Sequence, residues 1–201
     1  IDSAINNKIF PGAQIFISKS GQIVASKSFG NYTYDDNSKP ITEESIYDIA
    51  SLTKVVSITP VIMKLIEIKK IGLEHTLDQF YHDIDNNKKN ITIKHLLTHS
   101  SGLQPFIEYY KSDNDTRDLI IADIIQSNLN FKPGEKFQYS DLGMILLMDI
   151  IEKITGTPLD YLSDNWIYKK LGMKNTMFNP DMKILDQIVP TEYDSLFRRK
   201  M

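Results

Sequence analysis

The 201 residues contain no cysteine, so neither a disulfide nor a thiolate metal site is available to the fold. That absence fits any compartment. Nowhere does the chain hold the 18 or so uninterrupted apolar residues that a membrane-spanning helix needs. Residues 1–10 lack the basic, apolar and small-residue order of a secretory signal. No strong charge imbalance is present either: the formal net charge is −3. Nothing in that balance points to nucleic acid or an anionic membrane surface as partner. Internal repeats, low-complexity tracts and flexible linkers are also missing. What remains is 41% hydrophobic and 24% charged, ordinary for a soluble globular protein. The length suffices for one large or two small units with a real core.

The chain opens on Ile1 and stops at Phe197-Arg198-Arg199-Lys200-Met201 in mid-pattern. We expect a piece of a longer polypeptide. Residues 2–9 read as a short helix closed by Pro11-Gly12. Ala13–Ser18 and Gln22–Phe29, joined across Ser20-Gly21, read as a β-hairpin. Residues 31–45 are polar and turn-rich, and Ile46–Ile49 supplies a short extended segment. From Ser51 to Lys69 the apolar positions follow a helical period, with Pro60 expected to kink or split the run. Further helices are expected over Thr92–Thr98, capped by Thr92, over Arg117–Asn128, over Leu142–Thr155 up to Gly156, and from Pro158 to near Gly172. Residues 173–201 read as irregular. A hairpin alone is marginal in water, so its partner strands are expected beyond Met201 or from another chain.

The centre of the chain is Tyr47-Asp48-Ile49-Ala50-Ser51-Leu52-Thr53-Lys54. Ser51 and Lys54 are three residues apart at the start of a helical run, so they share one face. A hydroxyl beside a basic group is the minimum for nucleophilic catalysis. With 16 serines and 20 lysines in the chain, chance supplies roughly 1.6 such pairs, and this is the one that occurs. The bland alternative makes Ser51 an ordinary N-cap and Lys54 a solvated lysine. Ser51 in a first turn also presents a backbone N–H that has no helical partner. Tyr139, at a loop–helix junction, is placed to relay a proton or simply to pack. Asp141 is placed to orient Lys54 through a charge-assisted bond or to cap the helix.

His95 and His99 have the i, i+4 spacing that faces one metal, but no third ligand is evident, and structural roles are expected for both. His75 and His82 are expected to be solvated. Asp113-Asn114-Asp115 is too short for a calcium loop. No cofactor or metal is expected.

Together several stretches resemble one family. They are Pro11-Gly12 before a strand pair, Ala50-Ser51-Leu52-Thr53-Lys54, Leu96-Leu97-Thr98-His99-Ser100-Ser101-Gly102-Leu103, Pro133-Gly134 with Tyr139-Ser140-Asp141, and Leu171-Gly172-Met173 with Thr176. In order and spacing the chain resembles the serine β-lactamase and penicillin-binding-protein superfamily, in its class C-like and esterase-like branch. The resemblance implies an α/β domain plus an all-α domain, with the C-terminal strands absent. Residues 1–50 would hold the N-terminal strands, 51–185 the mainly helical part, and 186–201 the start of the return. It assigns Ser51 as acylated nucleophile, Lys54 as general base partner and Tyr139 as proton relay. Asp141 stands where many members have asparagine. The third motif, a lysine- or histidine-containing strand with an oxyanion-hole N–H, has no counterpart before Met201. A missing oxyanion donor costs about 10²–10³ in rate, so these 201 residues alone are expected to be inactive or nearly so.

The implied reaction is hydrolysis through an acyl-enzyme, on a β-lactam, a peptidoglycan-type D-amino-acid peptide or a small ester. A non-catalytic module binding cell-wall peptides on the same fold is the alternative, and a helical interaction domain a more distant one. Val189-Pro190-Thr191-Glu192-Tyr193-Asp194 resembles members fused behind a family 3 glycoside hydrolase. That likeness implies a bacterial envelope or periplasmic parent protein.

Overall fold

The computed structural model describes residues 1–111 and 116–191. Asp113-Asn114-Asp115 and Glu192-Tyr193-Asp194 lie outside the described residues. The chain divides into two compact units, Ile1–Ile49 with Asn179–Met201, and Ala50–Phe178.

In the first unit, helix α1 (Asp2–Asn6) precedes β1 (Gly12–Lys19) and β2 (Gln22–Gly30). The strands pair antiparallel from Gly12 opposite Gly30 to Lys19 opposite Gln22, with a bulge at Ile17/Ser18. Ser20 and Gly21 both have positive φ, at 50° and 77°. This mirror-image turn twists in the same sense as the strands it joins. The hairpin forms where the sequence places it. Phe16, Ile17, Ile23 and Val24 on it are exposed. Among the described residues this is the one sheet, of two strands. The described residues after Asn179, up to Thr191, return to the unit. Ile46 N–H donates to Gln187 O at 2.8 Å and Val189 N–H to Ile46 O at 2.8 Å. The buried Tyr32 hydroxyl donates to Gln187 O at 3.0 Å.

The second unit is helical. The run after Ser51 is not one helix interrupted at proline. A 3₁₀ turn (Ala50–Leu52) and a π turn (Lys54–Ile58) lead into α2 (Thr59–Glu67). Pro60 sits in the first turn of α2, where its missing N–H costs little. The helix is instead widened just upstream. Lys54 O accepts both the Thr59 N–H and, at 2.8 Å, the Thr59 hydroxyl. Proline cannot supply the next bond of the ladder, and the side-chain hydroxyl of Thr59 helps to hold the wider turn.

Helix α3 (Ile93–Leu97) carries the expected cap: Thr92 Oγ1 accepts from His95 N–H at 3.1 Å, and His95 Nδ1 accepts from Thr92 N–H at 3.1 Å. Helix α4 (Arg117–Gln126) follows, then α5 (Asp141–Thr155), which ends at Gly156 in the left-handed conformation, φ 64°. Pro158 caps α6 (Leu159–Ser163), which continues through a π turn (Asp164–Tyr168) into α7 (Lys169–Leu171).

The core collects Val61, Ile62 and Leu65 from α2, Ile93 and Leu96 from α3, Ile124 from α4, and Leu146, Leu147, Ile150 and Ile151 from α5. Burying each such side chain contributes about 1.5–3 kcal/mol. Two polar struts supplement it. Asp149, buried on α5, accepts from the Tyr81 hydroxyl at 2.7 Å and pairs with Arg117 and Lys153 at 2.9 Å each. Lys88 is fully buried, its Nζ donating to Ile125 O at the end of α4 at 2.5 Å.

Candidate active site

Ala50 opens the second unit with a left-handed φ of 43°, uncommon for a residue with a Cβ. The tight 3₁₀ turn that follows leaves Ser51 exposed, and the π turn begins at Lys54. Departures from regular α-helix of this kind gather at functional sites. Lys54 Nζ lies 2.9 Å from Ser51 Oγ and donates to it. The sequence spacing therefore does produce contact.

The opposite wall is the loop leading into α5. Ser140, not Asp141, is the N-cap: its Oγ accepts from Gly143 N–H at 3.3 Å and donates to Gln104 O at 2.6 Å. Asp141 is thereby left free to face Lys54, with Oδ1 2.9 Å from Nζ. The ammonium also sits 5.1 Å from the centre of the Tyr139 ring. The Tyr139 phenol is close enough to interact electrostatically with both Lys54 and Ser51. All four residues proposed from the sequence therefore meet at one place.

Their protonation follows from these contacts. Burial presses Lys54 toward losing its proton, but the bonds to Asp141 and Tyr139 outweigh it and hold the amine above its usual range. Those contacts favour the ammonium form of Lys54. Tyr139 shifts the other way. Its bonds to Lys54 and then to Ser51 hold the phenol below the usual tyrosine range, against weaker opposition from burial and from Asp141.

His99 was not predicted to touch the site. It ends α3 as expected, but its ring also lies 4.4 Å from that of Tyr139, centre to centre. Sequence spacing could not show this, because the contact joins residues 40 apart in the chain. His95 does not join it, since its Nδ1 is used in the Thr92 cap. Among the described residues no cluster of three or more metal-binding side chains occurs.

The "Beta-lactamase" family model matches residues 1–193. An N-acetylmuramyl-L-alanine amidase of Bacillus subtilis is 27% identical over 205 residues, covering 91% of this chain and 46% of that protein. A Salmonella agona protein named "Putative D-alanyl-D-alanine carboxypeptidase" is 30% identical, covering 91% and 48%. Among solved structures, the octameric penicillin-binding protein homologue from Pyrococcus abyssi superposes with a TM-score of 0.75 at 31% identity, covering 86% of this chain and 42% of that one. The fold is thus of the β-lactamase/transpeptidase type. The chain belongs to the beta-lactamase family, and it spans about half the length of the curated relatives it matches.

Proposed function

We propose that this chain supplies the acylation residues of a serine hydrolase that works through an acyl-enzyme. The observation that carries the reading is the joint contact of Lys54 with Ser51 and Asp141, both at 2.9 Å, with the Tyr139 ring centre 5.1 Å from the same ammonium. Because Lys54 donates to Ser51 Oγ, the serine's own proton is free to point at Tyr139. Tyr139, its phenolate favoured by the ammonium, removes that proton as Ser51 Oγ attacks the substrate carbonyl. The first-turn N–H of Ser51 faces the developing oxyanion. The phenol then returns the proton to the leaving group. In the second half-reaction Tyr139 deprotonates a water that attacks the acyl carbon, and Ser51 leaves with its proton restored. Lys54 stays charged throughout, and Asp141 keeps it so.

The substrate class we favour is a peptide ending in D-amino acids, supported by the name of the relative at 30% identity. β-Lactams and small esters present the same attackable carbonyl. Work on cell-wall material outside the cytoplasm belongs to the same proposal. So does fusion to a glycoside hydrolase, which the coding sequence upstream of Ile1 would reveal.

Covalent labelling of the full-length protein tests the reading. A fluorescent penicillin or a fluorophosphonate should attach to Ser51, and Ser51→Ala should abolish attachment. Labelling by the fluorophosphonate alone would make the protein an esterase. No labelling by either reagent would sink the hydrolase reading in favour of a binding module.

A further inference from the structure

His99 has a left-handed backbone, φ 54°. It closes α3, where Ser100 N–H returns to His95 O at 2.8 Å. Glycine or asparagine is the usual residue in such a turn, because a Cβ is strained there. A histidine in this conformation needs compensation from its side chain, and the contacts supply it. Its carbonyl accepts from Gln138 N–H at 2.8 Å. Its Nδ1 accepts from Ser140 N–H at 3.1 Å. Between those two anchors its ring lies against that of Tyr139, 4.4 Å away and tilted by 33°. Phe137 meets the same imidazole edge-on at 6.0 Å. Four consecutive residues of the loop, 137 to 140, are thus each held by one side chain or its own carbonyl.

We propose that His99 is a positioning residue that clamps Tyr139 against Ser51 and Lys54, and that it does so only as the neutral imidazole. The inference rests on the hydrolase reading above. An Nδ1 that accepts a hydrogen bond carries no proton, so the proton resides on Nε2. A second proton would set N–H against the Ser140 N–H and release the loop. The charged and titratable groups facing the ring are Lys54 from the π turn and Tyr139 and Asp141 from the loop and α5. Burial, and then the Lys54 charge, hold His99 below the usual histidine range, with Asp141 and then the backbone contact at Ser140 opposing. The clamp therefore persists at neutral pH and opens as pH falls through that lowered value.

Two variants separate positioning from mere packing. His99→Gly relieves the backbone strain and removes the clamp. His99→Asn tolerates the left-handed conformation and keeps an acceptor near Nδ1. In the full-length protein we expect His99→Gly to fold, to exchange the Ser140 amide at least tenfold faster, and to acylate Ser51 about 10–100-fold more slowly with little change in KM. His99→Asn should stay within about threefold of wild type. It should also lose the extra steepening of the acid limb that a second protonation gives the wild type. Acylation of His99→Gly at the wild-type rate, or an acid limb of unchanged shape in His99→Asn, overturns the proposal. Failure of the wild type itself to label at Ser51 would instead sink the hydrolase reading.

Discussion

Gly102 offers the most direct test of how the fold holds Tyr139. Its φ is +83°, and a Cβ at this position would lie 2.1 Å from Phe131 O and 3.2 Å from Phe131 C. Side-chain carbons do not approach carbonyl oxygens so closely, so Gly102→Ala must push residue 131 outward by more than about 1 Å. The left-handed backbone adds about 1–2 kcal/mol of strain, and overpacking about 1–3 kcal/mol. Together they predict a destabilisation of roughly 2–5 kcal/mol, or a fall of about 4–20 °C in the midpoint of thermal unfolding for a chain of this size.

The displacement also has a path to the site. Asn130 N–H bonds to Gly102 O, Gly134 N–H to Ser100 O and Gln138 N–H to His99 O, each at 2.8 Å. A shift at Phe131 is thus carried along the loop to Tyr139. A misplacement of about 1 Å can cost about 10²-fold in rate, which is the loss expected in Ser51 acylation. Calorimetry and stopped-flow acylation on the same preparation measure both effects. A variant with a midpoint within 2 °C or so of wild type and an acylation rate within about twofold would refute the reasoning.

Asp141→Asn should shift the alkaline limb of the acylation profile. Unit charges 2.9 Å apart attract by about 1.4 kcal/mol even at the dielectric of water, the appropriate limit for a half-exposed carboxylate. Without that charge Lys54 loses its proton at lower pH, the phenolate loses its cation, and the rate at the alkaline end should fall about tenfold. An unmoved limb in a pH–rate profile would show that Asp141 does not hold the charge. At Lys88, fully buried with its ammonium on Ile125 O, truncation and replacement should differ. Lys88→Ala leaves a cavity and an unpaired carbonyl and should cost about 3–5 kcal/mol in denaturant unfolding. Lys88→Met leaves the same carbonyl unpaired but keeps the volume and removes a desolvated charge, so it should cost less, about 1–3 kcal/mol. Equal losses in the two would contradict that account.

Much of the helical unit is legible in the residues themselves. Thr92 as a cap, Gly156 as a left-handed stop and the apolar period of α5 are local signals, since each depends on neighbours within one turn. The hairpin turn at Ser20-Gly21 is legible for the same reason. Less legible was the form of the helix after Ser51. Its apolar period suits an α-helix or a widened one equally well, and the choice fell to Thr59, whose N–H and hydroxyl both reach Lys54 O. The capping of α5 was also ambiguous, because Ser140 and Asp141 are adjacent and both residue types cap. Only the position of Gln104 O, which holds Ser140, leaves Asp141 for Lys54.

Ser51 and Lys54 lie within one turn of each other, and a contact that short in sequence is fixed by local geometry alone. The order of the Ser51, His99 and Tyr139 stretches is likewise written in the chain. What the tertiary structure decided is the state of those groups. Asp141 meets Lys54 across 87 residues and His99 meets Tyr139 across 40, and neither distance is encoded by any period or spacing. Charge, tautomer and proton direction depend on through-space distances of a few ångströms. Those exist only once α3 and α5 have packed together.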